Sequence, residues 1–158
     1  MKVVVQRVKE ARVKVGGEDV SSIGKGLLLL AGFGKTDTDK DVQRLASKIC
    51  KLRIFNDDDG KMNRDISETG GEILSVSQFT LLGDTAKGNR PGFDGAAGPE
   101  AASKLWERFN EEIENNDIPV KKGRFGAVMD VELVNDGPVT FVLESRGTQG
   151  GCYEHDKN

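Results

Sequence analysis

The sequence has one histidine, His155, and two cysteines, Cys50 and Cys152, among its 158 residues. Each scarcity excludes a chemistry. A Ser-His-Asp or Cys-His device needs an imidazole beside its nucleophile, and His155 lies in a polar, glycine-containing tail. The two cysteines are far apart with no CxxC spacing, which fits a reduced compartment and no disulfide framework. Cys152 and His155 have the spacing of two ligands, but no second pair completes a structural zinc site. No metal and no cofactor is expected. Long apolar runs are missing too: Leu27 to Ala31 is too short to span a bilayer, and the stretch from Met1 to Arg7 meets charge too soon for a signal peptide. A soluble, cytoplasmic protein with no membrane partner is expected. Nor is there an excess of positive charge. With 31% charged residues and a formal net charge of -3, the whole-molecule field does not attract phosphate. DNA is not an expected partner, and RNA must be held by a local basic patch.

What is present fits one α/β domain over residues 1–145, long enough to bury roughly two-thirds of the surface its unfolded form exposes. Val3, Val5 and Val8, then Val13 and Val15, predict two short strands with one face buried. Gly16-Gly17 turns the chain into a third strand from Glu18 to Ile23. The run from Leu27 to Phe33 is apolar on both faces and should be central. Thr36 or Thr38 can cap a helix from about Lys40, with Val42, Leu45, Ala46, Ile49 and Leu52 on one face. Arg53 to Phe55 reads as a strand closed by the turn-rich 56–60, and 62–69 is ambiguous. A strand from Ile73 to Leu81 follows, then a long surface loop from Gly83 to Gly98. Pro99 starts a helix carrying Ala102, Leu105, Trp106, Phe109 and Ile113. Strands are expected at Val120, from Phe125 to Val134 and from Val139 to Leu143. The tail from Arg146 to Asn158 is expected to be disordered.

Two familiar ligand loops fail on position. Gly34-Lys35-Thr36 could end a phosphate loop only with a glycine five residues before Gly34, where Leu29 stands. Asp57-Asp58-Asp59-Gly60 aligned to a calcium loop puts Phe55 and Ile66 where carboxylates are required. Ser77-Gln78-Phe79-Thr80 remains, where an apolar strand ends on hydroxyls, an amide and unpaired backbone N–H groups. Such groups can stabilise an oxyanion without transferring a proton, although composition alone favours an ordinary strand end. Asn135 to Thr140, with Gly137-Pro138 at its centre, reads as a four-residue turn between strands. Proline third in a tight turn suits a cis type VI turn, although most X-Pro bonds are trans. Lys87, Arg90, Lys121, Lys122 and Arg124 form two short basic segments that suit phosphate contacts or a solvated surface.

These stretches, with Val4-Val5-Gln6-Arg7-Val8, Leu52-Arg53-Ile54-Phe55, Gly60-Lys61-Met62-Asn63, Gly83-Asp84 and Gly123-Arg124-Phe125-Gly126, stand in the order seen in bacterial-type D-aminoacyl-tRNA deacylases. The sequence resembles that family over nearly its whole length. The resemblance implies a homodimer of three-layered β/β/α subunits, with mainly antiparallel and mixed sheets forming a barrel-like core. It implies active sites at the subunit interface. Ser77, Gln78, Phe79 and Thr80 of one chain would face a cis Gly137-Pro138 of the other, with the basic residues on the tRNA acceptor end. The ammonium of the charged amino acid would meet the carbonyls of Gly137 and Pro138, and an L side chain would collide with that backbone. Glycyl-tRNA would escape such a filter. The missing histidine would be supplied for by the 2′-hydroxyl of the terminal ribose. Two other readings compete: a deacylase that removes L-alanine from mischarged tRNA, in which a small polar residue would be expected in place of Phe79, and a non-catalytic tRNA-binding proofreading module.

Overall fold

The computed structural model describes residues 1–145, so the tail for which disorder is expected lies outside the described residues. Where two opening strands are expected, one long strand, β1 (Lys2–Val15), runs unbroken. Lys9 and Glu10, which interrupt the apolar pattern, are exposed, and the register shifts beside them. A bulge thus absorbs the interruption and the ladder continues. After the Gly16-Gly17 turn come β2 (Glu18–Ile23) and β3 (Gly26–Gly32). The strand β3 is central, as its two-sided apolar run requires, with β1 antiparallel on one side and β6 (Glu72–Ser77) parallel on the other.

Between β3 and β6 lie α1 (Asp39–Cys50), a small hairpin of β4 (Phe55–Asn56) and β5 (Met62–Arg64), and α2 (Ile66–Thr69). Thr38 caps α1 reciprocally with Asp41: the Thr38 hydroxyl accepts from the Asp41 amide, and the Asp41 carboxylate accepts from the Thr38 amide. The stretch expected as a strand at 53–55 shifts onward to Phe55–Asn56. The ambiguous residues 62–69 divide into β5 and α2. After the loop come α3 (Pro99–Glu114), β7 (Val120–Lys122) and β8 (Asp130–Glu144). The expected strand from Phe125 begins only at Asp130, because residues 125–127 form a turn in which Gly126 takes a positive φ.

The main sheet runs β2-β1-β3-β6-β7, with β8 on the other edge of β1. The Ser21 hydroxyl of β2 donates to the Lys122 carbonyl of β7 at 2.9 Å, so the sheet curls into a nearly closed barrel. Alternation along β3 divides the interior. Leu27, Leu29 and Ala31 face a core shared with α1 and α3, while Leu28 joins Val8, Val13, Ile23 and Leu74 inside the barrel. The result is a mixed α/β fold with helices laid over one face of the sheet.

Candidate functional site

The strand β6 stops at Ser77, opposite Ala31, rather than continuing to Leu81 as expected. Its partner β3 ends at Gly32, so no ladder remains for the next residues to join. The Gln78 amide makes a last bond to the Ala31 carbonyl at 2.8 Å, and residues 79–82 coil into a 3-10 turn. That turn rests directly on Gly32. A Cβ there would lie 2.7 Å from the Gln78 carbonyl oxygen and 2.6 Å from a Leu82 methyl, so only glycine lets the floor come so close. At the start of the turn Gln78 gives no side-chain cap; its amide donates instead to the Thr80 hydroxyl. The first amides of a helical turn have no partner within it. Those of Phe79 and Thr80 find no acceptor among the described residues.

Phe79 lines a cavity of about 660 Å³ together with Ser77 and Gln78, and Thr80 follows it in the turn. Phe79 is 56% exposed and meets Phe93, from the long loop, edge to face at 5.1 Å. The lining also includes Phe125 and Met129. Phe125 is backed by Trp106 of α3, whose indole N–H donates to the buried Ser75 hydroxyl at 2.9 Å. None of the lining side chains is ionisable. Cys50 supplies no nucleophile either: it is buried in the helix-covered core, and burial pushes its thiol up to about 11. The cavity therefore offers dipoles and apolar surface, not proton transfer.

Gly137 and Pro138 do not line this cavity. The stretch around them is also not a chain-reversing turn, because both of its flanks remain paired with β1. Between the pairs Gln6↔Thr140 and Val8↔Asn135, β1 has only Arg7 while β8 has residues 136–139. Those extra residues leave the sheet as a loop-like bulge. Asn135 closes its neck, accepting from the Val139 amide and donating to the Thr140 hydroxyl, both at 2.8 Å. The Gly137-Pro138 peptide is cis, and Gly137 has φ +132°. Ser77 stands beside Ala31, and Ala31 beside Val3, whereas the bulge lies opposite Arg7. With about 3.3 Å per residue and about 4.8 Å per strand, floor and bulge are on the order of 20 Å apart along the sheet.

The basic residues divide. Lys121 and Lys122 are ion-paired with Glu72 and Glu107, at 4.0 and 2.9 Å. Arg124, beside the wall residue Phe125, and Lys87 and Arg90, in the loop that carries Phe93, have no acidic partner among the described residues. These three sit on segments that border the cavity.

A family model described as D-Tyr-tRNA(Tyr) deacylase matches residues 4–144. The chain belongs to that family. Among curated relatives of this deacylase-family chain, the D-aminoacyl-tRNA deacylase of Desulfatibacillum aliphaticivorans is 58% identical, over 92% of this chain and 100% of its own. That of Brevibacillus brevis is 55% identical over the same shares. A solved protein described as c-Myc DNA Unwinding Element Binding Protein superposes with a TM-score of 0.87 at 43% identity, covering 92% of this chain and 99% of its own. A probable eukaryotic D-amino acid tRNA deacylase shares the fold, with a TM-score of 0.75 at 18% identity over 90% and 97% of the two chains.

The sequence assigns Arg7 no role beyond its place in the Val4-Val5-Gln6-Arg7-Val8 motif. In this family member it is 6% exposed and fixes the bulge. Its Nε donates to the Asp136 carbonyl at 3.0 Å, and Nη1 donates to the Ile54 carbonyl at 2.8 Å and the Asn56 amide oxygen at 3.3 Å. The Asp136 carboxylate is 3.5 Å from Nε. A signal was available: Val3, Val5 and Arg7 share one phase of the strand alternation, so the arginine stands at an inward position.

The Thr80 hydroxyl is held by the Gln78 side chain, and no ionisable side chain lines the neighbouring cavity to activate it, so it is expected to contribute little to chemistry. Thr80→Val should leave kcat on a D-aminoacyl-tRNA within about tenfold of the unmodified chain, the loss of one modest positioning contact. Single-turnover kinetics check this, and loss of activity as complete as that caused by filling the cavity would make the hydroxyl a chemical participant.

Proposed function

We propose that the chain hydrolyses the ester of D-aminoacyl-tRNA, as a homodimer whose two sites are each completed by the partner's Gly137-Pro138. The observation that carries the reading is a cavity lined by Phe79, the first of two successive residues with unpartnered amides, and by no ionisable side chain. Water adds to the ester carbonyl carbon, the carbonyl oxygen takes up negative charge against the Phe79 and Thr80 amides, and the bond to the 3′ oxygen breaks. That oxygen receives a proton and leaves as the tRNA 3′-hydroxyl; the other product is the free D-amino acid. Such dipoles are worth most where water is excluded and their orientation is already fixed.

The bulge stands outside its own chain's cavity, so a second chain must bring one. The surface for this is present in β8, a long strand paired only with β1 among the described residues. Along it Leu133, Val134, Phe141 and Val142 are exposed, Val142 by 64%. A long apolar edge of this kind is a ready template for another chain. In the dimer the Gly137 and Pro138 carbonyls take the substrate ammonium, a D side chain points outward, and an L side chain meets backbone. Glycine has nothing to collide, so glycyl-tRNA is also a substrate. Lys87, Arg90 and Arg124 contact acceptor-end phosphates, with Lys121 and Lys122 further along the same surface. Phe79 disfavours an L-alanine-removing deacylase, and the cavity beside free amides disfavours a module that only binds.

With no base in the cavity, the substrate's own 2′-hydroxyl assists the attack. D-Tyrosyl-tRNA ending in 2′-deoxyadenosine and charged on its 3′-hydroxyl should be cleaved at least about 100-fold more slowly than the ribose form, since one positioned acid/base group contributes about that much or more. Equal rates would exclude RNA-assisted chemistry. Failure to cleave the ribose form would exclude the activity.

A further inference from the structure

The β4–β5 hairpin carries Gly60-Lys61-Met62-Asn63, a motif to which the reaction above gives no task. Two isolated strands are marginal in water, yet this hairpin is tightly built. The Asp57 carboxylate accepts from the Asp59 and Lys61 amides, each at 2.9 Å, and from the Asn63 side chain at 2.8 Å. The Asn63 bond, above all, holds the Asp57 carboxyl below the usual carboxylate range. Arg53 donates to the Asn63 carbonyl at 2.7 Å. This rigidity buries nothing at the tip, for Met62 is 49% exposed.

Arg7 determines where that tip lies. One guanidinium holds the hairpin, through Asn56 of β4 and Ile54 just before it, and the bulge, through Asp136. Asn56 and Met62 are direct antiparallel partners, and side chains directly opposite on such strands emerge on the same face. The Asn56 side chain reaches Arg7, so Met62 emerges on the face turned toward Arg7 and the bulge. An exposed thioether thus accompanies Gly137-Pro138 as part of one rigid unit.

We infer that Met62 enters the partner's site together with Gly137-Pro138 and packs against an unpaired nucleobase at the 3′ end of the tRNA bound there. The inference rests on the shared-site reading above. A flexible thioether suits a base of any identity: it is polarizable, favours aromatic rings and demands no hydrogen-bond pattern. This matches an enzyme that must hold the same 3′ end on many tRNAs while reading only the chirality of the amino acid.

Heterodimers purified through two different tags test it. One chain carries Gly137→Ala, which spoils its bulge; the other carries Ala127→Trp, which fills its cavity. Only one site per dimer then has both an intact cavity and an intact bulge, and the bulge comes from the Ala127→Trp chain. Activity of this dimer, when neither homodimer is active, supports sharing; an inactive heterodimer overturns both the shared-site reading and this inference. Met62→Ala is then placed on either chain. On the bulge donor it should raise KM about fivefold, the size expected for one sulfur–aromatic contact, with kcat within about twofold, and Met62→Leu, which keeps the apolar bulk but not the sulfur, should restore only part of the loss. On the cavity donor it should change nothing. An equal effect from either chain, an effect only from the cavity donor, or no effect overturns the inference alone. So does weaker dimerisation with unchanged KM, which would assign Met62 to the contact between the subunits.

Discussion

Gly137→Ala should lower kcat/KM on D-tyrosyl-tRNA by at least about 100-fold, equivalent to about 2.7 kcal/mol, while the protein stays folded. The cause is steric. A Cβ at Gly137 would lie 2.8 Å from a Val139 methyl and 3.1 Å from Arg7 Nη2. The backbone there, at φ +132°, is one that side-chain-bearing residues rarely adopt. Neither neighbour can give freely: Val139 is tied through its amide to Asn135, and Arg7 is committed to both flanking segments. The bulge must therefore shift, and its carbonyls with it. A displacement of about 1 Å in a positioning group can cost about 100-fold. The bulge is extra to the ladder, so the strain should cost only about 1–3 kcal/mol of stability. Thermal melts and single-turnover kinetics on one preparation separate the two effects, and near-normal kcat/KM would show that the bulge positions nothing in the reaction.

Arg7→Ala should be as damaging to activity and more damaging to the fold. It leaves the Asp136 and Ile54 carbonyls without their donor and the Asp136 carboxylate without its cation. Breaking a buried pair of this kind typically costs about 3–5 kcal/mol; we expect about 3 kcal/mol, because the Asp136 carboxylate is partly solvated. Activity should fall by about 100-fold or more as the bulge loses its fixed position. Arg7→Lys separates the two. A lysine keeps the charge but not the planar fork that reaches in two directions, so it should regain part of the stability with little of the activity. Denaturant midpoints and kcat/KM on the two variants check this; an Arg7→Lys enzyme of normal activity would reduce Arg7 to a buried charge.

The parts of the fold legible in the sequence are those with local causes. The strand β3 is apolar on both faces and proves central; Thr38 caps α1; Pro99 opens α3. The errors arise where a partner far along the chain decides. Phe79 and Leu81 continue the alternation of β6, but the strand ends because β3 stops at Gly32. Lys9-Glu10 looks like a break, but β8 spans it and keeps β1 whole. The residues 135–140 have the composition of a reversing turn, and only the pairing of β1 on both sides of them shows a bulge. The floor residues 77–80 were recognisable as strand-end chemistry. The 3-10 turn that frees the Phe79 and Thr80 amides was not, and neither was Arg7's hold on the bulge.

These errors share a consequence for the site. Within one chain the floor and the bulge lie far apart, so the chirality filter we propose needs two copies. Each chain holds unpartnered amides at Phe79, which lines the apolar cavity, and at Thr80 beside it, and elsewhere a backbone bulge fixed by a buried arginine.

The central claim is that handedness is rejected by backbone sterics, with no side chain reading the amino acid. Parallel hydrolysis of D-tyrosyl-, L-tyrosyl- and glycyl-tRNA by the purified protein tests it most directly. The account predicts that the D-tyrosyl and glycyl esters are cleaved and that the L-tyrosyl ester survives with a rate at least about 100-fold lower, a difference of about 2.7 kcal/mol in the barrier. Equal loss of the D and L esters would contradict it.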